Sequence, residues 1–407
     1  MTAETTTAAA APLSDAWLAG HFDYLAPEFG RELHPTYARL REQFPVTHSD
    51  ARGGFWVLTR YDDVLAVAQD WETYSSTSVA IPATTMTLPA IPLVIDPPLQ
   101  REYKRLISAY LTPAKVRPHE EATRELVTSM IDEVIEAGSC DFMADFALPY
   151  PGRSFFEMVL NAPADEAVYV AGLAQQASIQ TAESAQAWAK MRDWIEGFLE
   201  TRRAAPAKGD IVDAILAAEI DGRPITDTEI LGIVILLILG GLETTAGVLG
   251  ASMLRFIREP HVLEQIRARP DRLEAAMEEL LRLDGSFLAI GRTVRTDALL
   301  HGNPVGPGDK VYISWASANR DEHEFPDPDV FDLDRKINRH IAFGAGPHRC
   351  VGSNLARMNL RVALAEIVER FHDLALAEPE ETLPFHTAFN RAPLRVPITF
   401  RPGPRRG

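Results

Sequence analysis

Three things are scarce in this chain of 407 residues, and each scarcity excludes something. There are only two cysteines, Cys140 and Cys350, so a disulfide framework is not expected, and the chain fits a reducing compartment. Basic residues are outnumbered, 40 Lys and Arg against 57 Asp and Glu, for a net charge of −17. Nucleic acid is therefore not an expected partner, because phosphate binding needs a basic surface. Long apolar runs are missing too. The longest, Ile230 to Leu242, has thirteen residues, against about 18 or more for a membrane span. No membrane association is expected, and a helix apolar on every side belongs inside protein. The amino terminus has neither a basic nor an apolar targeting region, so residues 1–20 read as a disordered tail and the cytoplasm as the location.

What is present reads as one large, mainly helical domain over residues 21–407. Hydrophobic residues make up 46% and charged residues 24%, as in a globular protein, and no repeat or flexible linker divides the chain. A monomer is expected. Residues 55–61 pattern as a strand and 76–95 as a loop. Helical periods run over 97–111, 114–137 and 182–204. Thr226-Asp-Thr-Glu229 is a capping box, and the next firm stop is Pro260. The helix between them is long and apolar enough to cross the middle of a domain. Its Gly240-Gly241 pair followed by Thr244-Thr245 predicts a local distortion. A further helix follows Pro270, a short strand covers 311–314, and an irregular Pro/Asp-rich meander covers 321–334. Another helix is expected from about Val351 to Phe371, then strands and turns.

The chemistry concentrates at residues 343–352, Phe-Gly-Ala-Gly-Pro-His-Arg-Cys-Val-Gly. Glycines allow tight turns and close approach to a flat ligand. Cys350 then stands at the start of a helix, where the macrodipole favours thiolate, a good soft ligand for iron. Six specified residue types in ten positions outweigh the reading of Cys350 as a buried structural cysteine.

This loop resembles the haem-binding loop of the cytochrome P-450 family, Phe-Gly-x-Gly-x-His/Arg-x-Cys-x-Gly. Other matches follow in the family's order. Glu279-Leu-Leu-Arg282 fits Glu-x-x-Arg, and the meander Phe325 to Arg335 also resembles the family. Gly240-Gly-Leu-Glu-Thr-Thr245 resembles the oxygen-activating signature. Asp96-Pro-Pro-Leu-Gln-Arg-Glu-Tyr-Lys104 resembles the helix covering the proximal haem edge, with Gln100 where His is common and Lys104 where Arg is usual.

The resemblance implies a triangular, mainly α fold with minor sheets, holding one haem b. Cys350 would be the proximal iron ligand, with Phe343, Gly344 and Gly352 shaping its loop. His348 and Arg292 would bind propionates, with Lys104 and Gln100 as further haem contacts. Glu279, Arg282 and Arg335 would form a structural network. Thr244 would hydrogen-bond oxygen and Glu243 feed protons. The implied reaction is insertion of one atom of O2 into a small, largely apolar substrate. Electrons would come from NAD(P)H through a separate ferredoxin and its reductase. That ferredoxin would meet positive residues at Arg101, Lys104, Arg105, Arg339, Arg349 and Arg357. A peroxide-driven peroxygenase and a non-catalytic haem sensor stay open as alternatives, the first opposed by the Glu243-Thr244 pair. Candidate pocket residues are Ile81, Met86, Leu93, Leu237, Gly241, Phe287, Leu288 and Phe389. His301, His323, His340 and Cys140 match no ligand motif.

Overall fold

One helix, Asp227–Arg258, spans the interior. At 1.5 Å per residue its 32 residues reach about 48 Å. Its start is fixed by the expected box: the Thr226 side chain accepts from the Glu229 N–H, and Glu229 accepts from Thr226 N at 2.7 Å. Although its composition would suit a membrane span, most of it is buried against the rest of the protein. It stays helical through Gly240-Gly241, so the distortion expected there is not a break. Thr244 Oγ1 donates to Gly240 O at 3.1 Å, back-bonding to the turn above without ending the helix.

The computed structural model describes residues 13–82, 89–178, 184–387 and 389–407, and about 54% of it is helical. Helices Leu99–Ser108, Glu120–Val134, Ser184–Ala204, Leu273–Asp284 and Ser353–Arg370 lie close to the ranges their periodicity predicts. The strand expected over 55–61 ends at Leu58, because Tyr61 already opens the next helix. Of the tail expected over 1–20, residues 1–12 lie outside the described residues and the rest is not a tail. Residues Asp15–Gly20 are helical, capped by Ser14, whose Oγ accepts from Trp17 N at 3.2 Å. Leu18 anchors that turn in a cluster with Phe22, Phe29 and Tyr37.

The main sheet has five strands, in the order Val46–Ser49, Phe55–Leu58, Lys310–Ser314, Ala289–Val294, Tyr74–Ser75. Its fourth strand carries Arg292 opposite Val311. A hairpin of Phe385–Thr387 and Arg391–Pro393 leans on the central helix. A Cβ on Gly247 would meet Ser286 Cβ at 2.7 Å and Ala392 Cβ at 3.3 Å.

The meander is tied to the Leu273–Asp284 helix by buried charge. Glu279, with no exposed surface, accepts from Arg282 at 2.7 and 2.9 Å and from Arg335 Nε at 3.0 and 3.2 Å. Asp332 N and Asn338 Nδ2 add bonds at 3.1 and 3.2 Å. Arg282 also donates to the carbonyls of Asn319, Pro328 and Val330 and lies over the Phe325 ring. These two arginines hold Glu279 below the usual carboxylate range despite its burial. Replacing Glu279 by Ala strands two buried guanidinium groups and should cost about 3–5 kcal/mol in urea unfolding. Removing the Thr226 cap (Thr226→Ala) should cost only about 1 kcal/mol. Equal losses would contradict this ranking.

Candidate active site

The loop carrying Cys350 is built by backbone contacts before any ligand is considered. Cys350 N donates to Phe343 O at 2.8 Å, Gly344 N to Ile341 O at 2.9 Å and Arg349 N to Gly346 O at 3.1 Å. Gly346 has φ +66°, and a Cβ there would collide with the Ala68 carbonyl. Glycine is thus required twice over, by conformation and by the close approach of a neighbouring helix end. Gly344 also has positive φ and lies beside Trp315. Gly352 caps the helix that starts at Ser353, so Cys350 precedes the first helical residue by three positions.

Cys350 is exposed, yet protein crowds it enough that burial pushes its thiol up. The Gly352 N–H and the cations Lys104, Arg349 and Arg357 oppose that rise. These donors and the helix end favour thiolate against the burial, and a cation bound at sulfur would favour it further.

Two further groups are buried and lack an anionic partner. Arg292 is 2% exposed, and among the described residues its one hydrogen bond runs to its neighbour's carbonyl, Gly291 O, at 2.8 Å. Burial lowers its pKa to about 10, offset in part by Asp96. His348 Nε2 is enclosed with no partner, and burial, then the nearby Arg292 charge, lowers its pKa to about 4. A desolvated guanidinium costs several kcal/mol unless an anion joins it. Arg292 and His348, close to one another and to the cysteine loop, fit a cofactor that carries carboxylates.

Gln100 and Lys104 are placed differently. Gln100 Nε2 donates to Pro347 O at 2.8 Å, and Lys104 Nζ donates to Pro347 O at 2.6 Å and Arg349 O at 2.8 Å. Both hold the loop itself. Phe343 is sandwiched by Arg357, whose guanidinium lies 4.5 Å from the ring centroid.

A family model described as Cytochrome P450 matches residues 177–396. Nocardicin C N-oxygenase of Nocardia uniformis subsp. tsuyamanensis is 34% identical, over 91% of this chain and 96% of its own length. The chain belongs to the cytochrome P450 family. A steroid C26-monooxygenase of Mycolicibacterium smegmatis is 31% identical, covering 90% of this chain and 92% of the relative. Among solved structures, P450 CYP109Q5 from Chondromyces apiculatus superposes with a TM-score of 0.83 at 27% identity, over 95% and 99% of the two chains. A mutant of P450 EryK in complex with erythromycin B gives 0.83 at 28%, over 93% and 98%. The protein is accordingly a P450 monooxygenase, an oxidoreductase that binds haem b through a cysteine thiolate.

The central helix turns a narrow open stripe away from the core. Leu236, Gly240, Glu243 and Thr244 are partly or fully accessible, whereas Leu237 is 7% exposed and packs in the core. A Cβ on Gly240 would meet nothing within 4 Å, but one on Gly241 would meet the Phe155 ring at 2.6 Å. Of the two candidates expected on this helix, Leu237 therefore faces the core and Gly241 faces Phe155, while Leu236 and Gly240 beside them lie on the open stripe. Counting back four from Thr244, one helical turn, finds Gly240 and then Leu236.

The other pocket candidates scatter over two clusters. Leu93 and Phe287 lie half-buried against one, while Ile81, Leu288 and Phe389 belong to the other, near Tyr24. Met86 lies outside the described residues. Sequence reasoning missed Asn390. It bridges to Phe287, next to the bond from Leu288 N to Phe389 O, and its Oδ1 is enclosed without a partner. Its place beside Phe389 in a turn was the available signal. Asp96 was also missed: it accepts from Ser75 Oγ and Ser76 N at 2.5 and 2.8 Å and lies within electrostatic reach of Arg292 and His348.

The unmatched histidines each meet a carboxylate: His301 with Asp63, His323 with Asp321, and His340 with Glu278. Gly240→Ala should raise stability by up to about 1 kcal/mol, because alanine favours helix and meets open space. Gly241→Ala should lower it by roughly 1–3 kcal/mol through overpacking on Phe155. Thermal unfolding of the two variants checks the pair, and opposite signs are expected.

Proposed function

We propose that Cys350 is the iron ligand of this P450, that Arg292 and His348 bind the haem propionates, and that Thr244 and Glu243 manage the protons of the reaction. The carrying observation is the pair of buried, unpartnered groups, Arg292 and His348 Nε2, beside the cysteine loop. Haem, when bound, supplies O2 activation and transfer of one oxygen atom. The chain positions the rest. Ser286 Oγ donates to Thr244 O at 2.8 Å, and Arg391 N donates to Ser286 O at 2.8 Å. These bonds fix the Thr244 turn against the hairpin. The Thr244 hydroxyl is held on Gly240 O, and the space beside Gly240, where a Cβ would meet nothing within 4 Å, is open. Its proton can then be offered to the open side, with Glu243, on the same accessible stripe, as the acid that replaces it.

The substrate is a small, largely apolar organic molecule, held by Leu236, Leu93 and Phe287 near Thr244. The relatives are named for nocardicin C and for steroids, two unlike substrates, so the family sets the reaction and the pocket sets the choice. Electrons come from NAD(P)H through a separate ferredoxin and reductase. Of the six cations expected to attract that ferredoxin, Arg339 pairs with Glu324, Arg357 pairs with Glu278, and Lys104 is used by the loop. Arg101, Arg105 and Arg349 are exposed and form no ion pair among the described residues. The docking patch is these three.

Turnover driven by NADH with a ferredoxin and reductase, rather than by peroxide alone, tests the proposed reaction. Equal rates with peroxide alone would favour a peroxygenase. Thr244→Ala should keep substrate binding but lower the ratio of product to NADH consumed, on a step typically worth about 10²–10⁴ in rate. An unchanged ratio would remove Thr244 from proton delivery. Arg349→Glu should slow electron transfer and flatten its salt dependence, since exposed charges are screened over roughly 8–10 Å. Stopped-flow reduction measures this, and Arg339→Glu, already paired in the wild type, should do less.

A further inference from the structure

The helix Leu99–Ser108 meets the cysteine loop through two side chains one turn apart, Gln100 and Lys104. Both donate to Pro347 O, at 2.8 and 2.6 Å, and Lys104 gives a second bond to Arg349 O at 2.8 Å. Arg349 O belongs to the same peptide bond as Cys350 N, and that N–H donates to Phe343 O at 2.8 Å. A cation on the carbonyl of a peptide polarises it and strengthens the bond its N–H makes. The lysine ammonium thus sits on the peptide bond that joins Arg349 to Cys350.

The residue type suits this task. An ammonium is a compact charge with three divergent donors, matched to two separate carbonyls. A planar guanidinium fork matches one carboxylate instead, and Arg292 already offers one within the site, with no anion bound to it.

We propose that Lys104 is a positioning residue that clasps the cysteine loop through the Pro347 and Arg349 carbonyls and, by its charge on the peptide bond that leads into Cys350, raises the reduction potential of the bound haem. Adding an electron to the site adds negative charge, and a fixed cation nearby favours that state. Holding the loop by its own carbonyls also keeps Cys350 in place before haem arrives. The inference rests on Cys350 being the iron ligand.

Three measurements test it. On haem-free protein, hydrogen exchange at the Cys350 amide should be roughly tenfold faster in Lys104→Met than in wild type. Lys104→Gln keeps a neutral donor and should be intermediate. In the haem-loaded protein, both variants should show a lower midpoint potential than wild type. The drop should be the same size when the protein is reconstituted with haem dimethyl ester, whose propionates carry no charge. A drop that vanishes with the ester would place Lys104 at a propionate and overturn the proposal. Unchanged exchange together with unchanged potential would overturn it as well. Should Lys104→Met not fold, Lys104→Gln carries both measurements. Failure of the Cys350 assignment shows separately, as a wild-type protein without a thiolate-type spectrum, while the exchange result still reads the clasp.

Discussion

Glu279 has no contact with water, yet five donor groups converge on it from two segments of chain. Arg282 comes from its own helix, and Arg335, Asp332 and Asn338 come from the meander. The cysteine loop follows a few residues later. A buried carboxylate is a poor source of net stability, but removing it is expensive, and its geometry is unique. Here it fixes where an irregular stretch of chain ends and so where residues 343–352 begin. Most of what the site does depends on that placement.

The charges around the loop divide into three kinds. Some are spent on structure: Glu278 binds both His340 and Arg357 and sits well below the ordinary carboxylate range, at about 2, because those partners outweigh its burial. Some clasp the loop, as Lys104 does. Arg292 and His348 are left without an anion in the interior. In a chain with seventeen excess negative charges, a desolvated arginine with no carboxylate on it is the feature that asks most directly for a ligand. The same sorting separates Arg339 and Arg357, which are ion-paired, from Arg101, Arg105 and Arg349, which form no ion pair among the described residues.

Much of this was legible in the sequence because it is carried by local, closely spaced residues. The capping box at Thr226, the Glu279–Arg282 spacing and the glycine pattern around Cys350 each encode a contact within a turn or two. What was not legible depends on which way a residue faces. Gly240 and Gly241 are identical in sequence, and only the Phe155 ring, from a distant helix, tells them apart. Leu236 and Leu237 differ in the same way. Lys104 matched a position where the resemblance suggests a propionate contact, but its partners are two carbonyls almost 250 residues away. Asn390 drew no attention because an asparagine in a turn is ordinary; its unpartnered Oδ1 appears only once the hairpin is packed. Helix existence followed from periodicity, whereas helix facing followed from packing.

The account stands on one bond, between the Cys350 sulfur and haem iron. The direct test is the spectrum of the reduced, CO-bound protein for wild type, Cys350→Ala and Cys140→Ala. Cys140 lies on a strand edge, its thiol pushed up to about 12 by burial and then by Asp145 and Asp141, and it is a poor thiolate donor. Wild type and Cys140→Ala should both show the red-shifted Soret band of thiolate ligation, and Cys350→Ala should lose it. A band that survives in Cys350→Ala and disappears in Cys140→Ala would contradict the account.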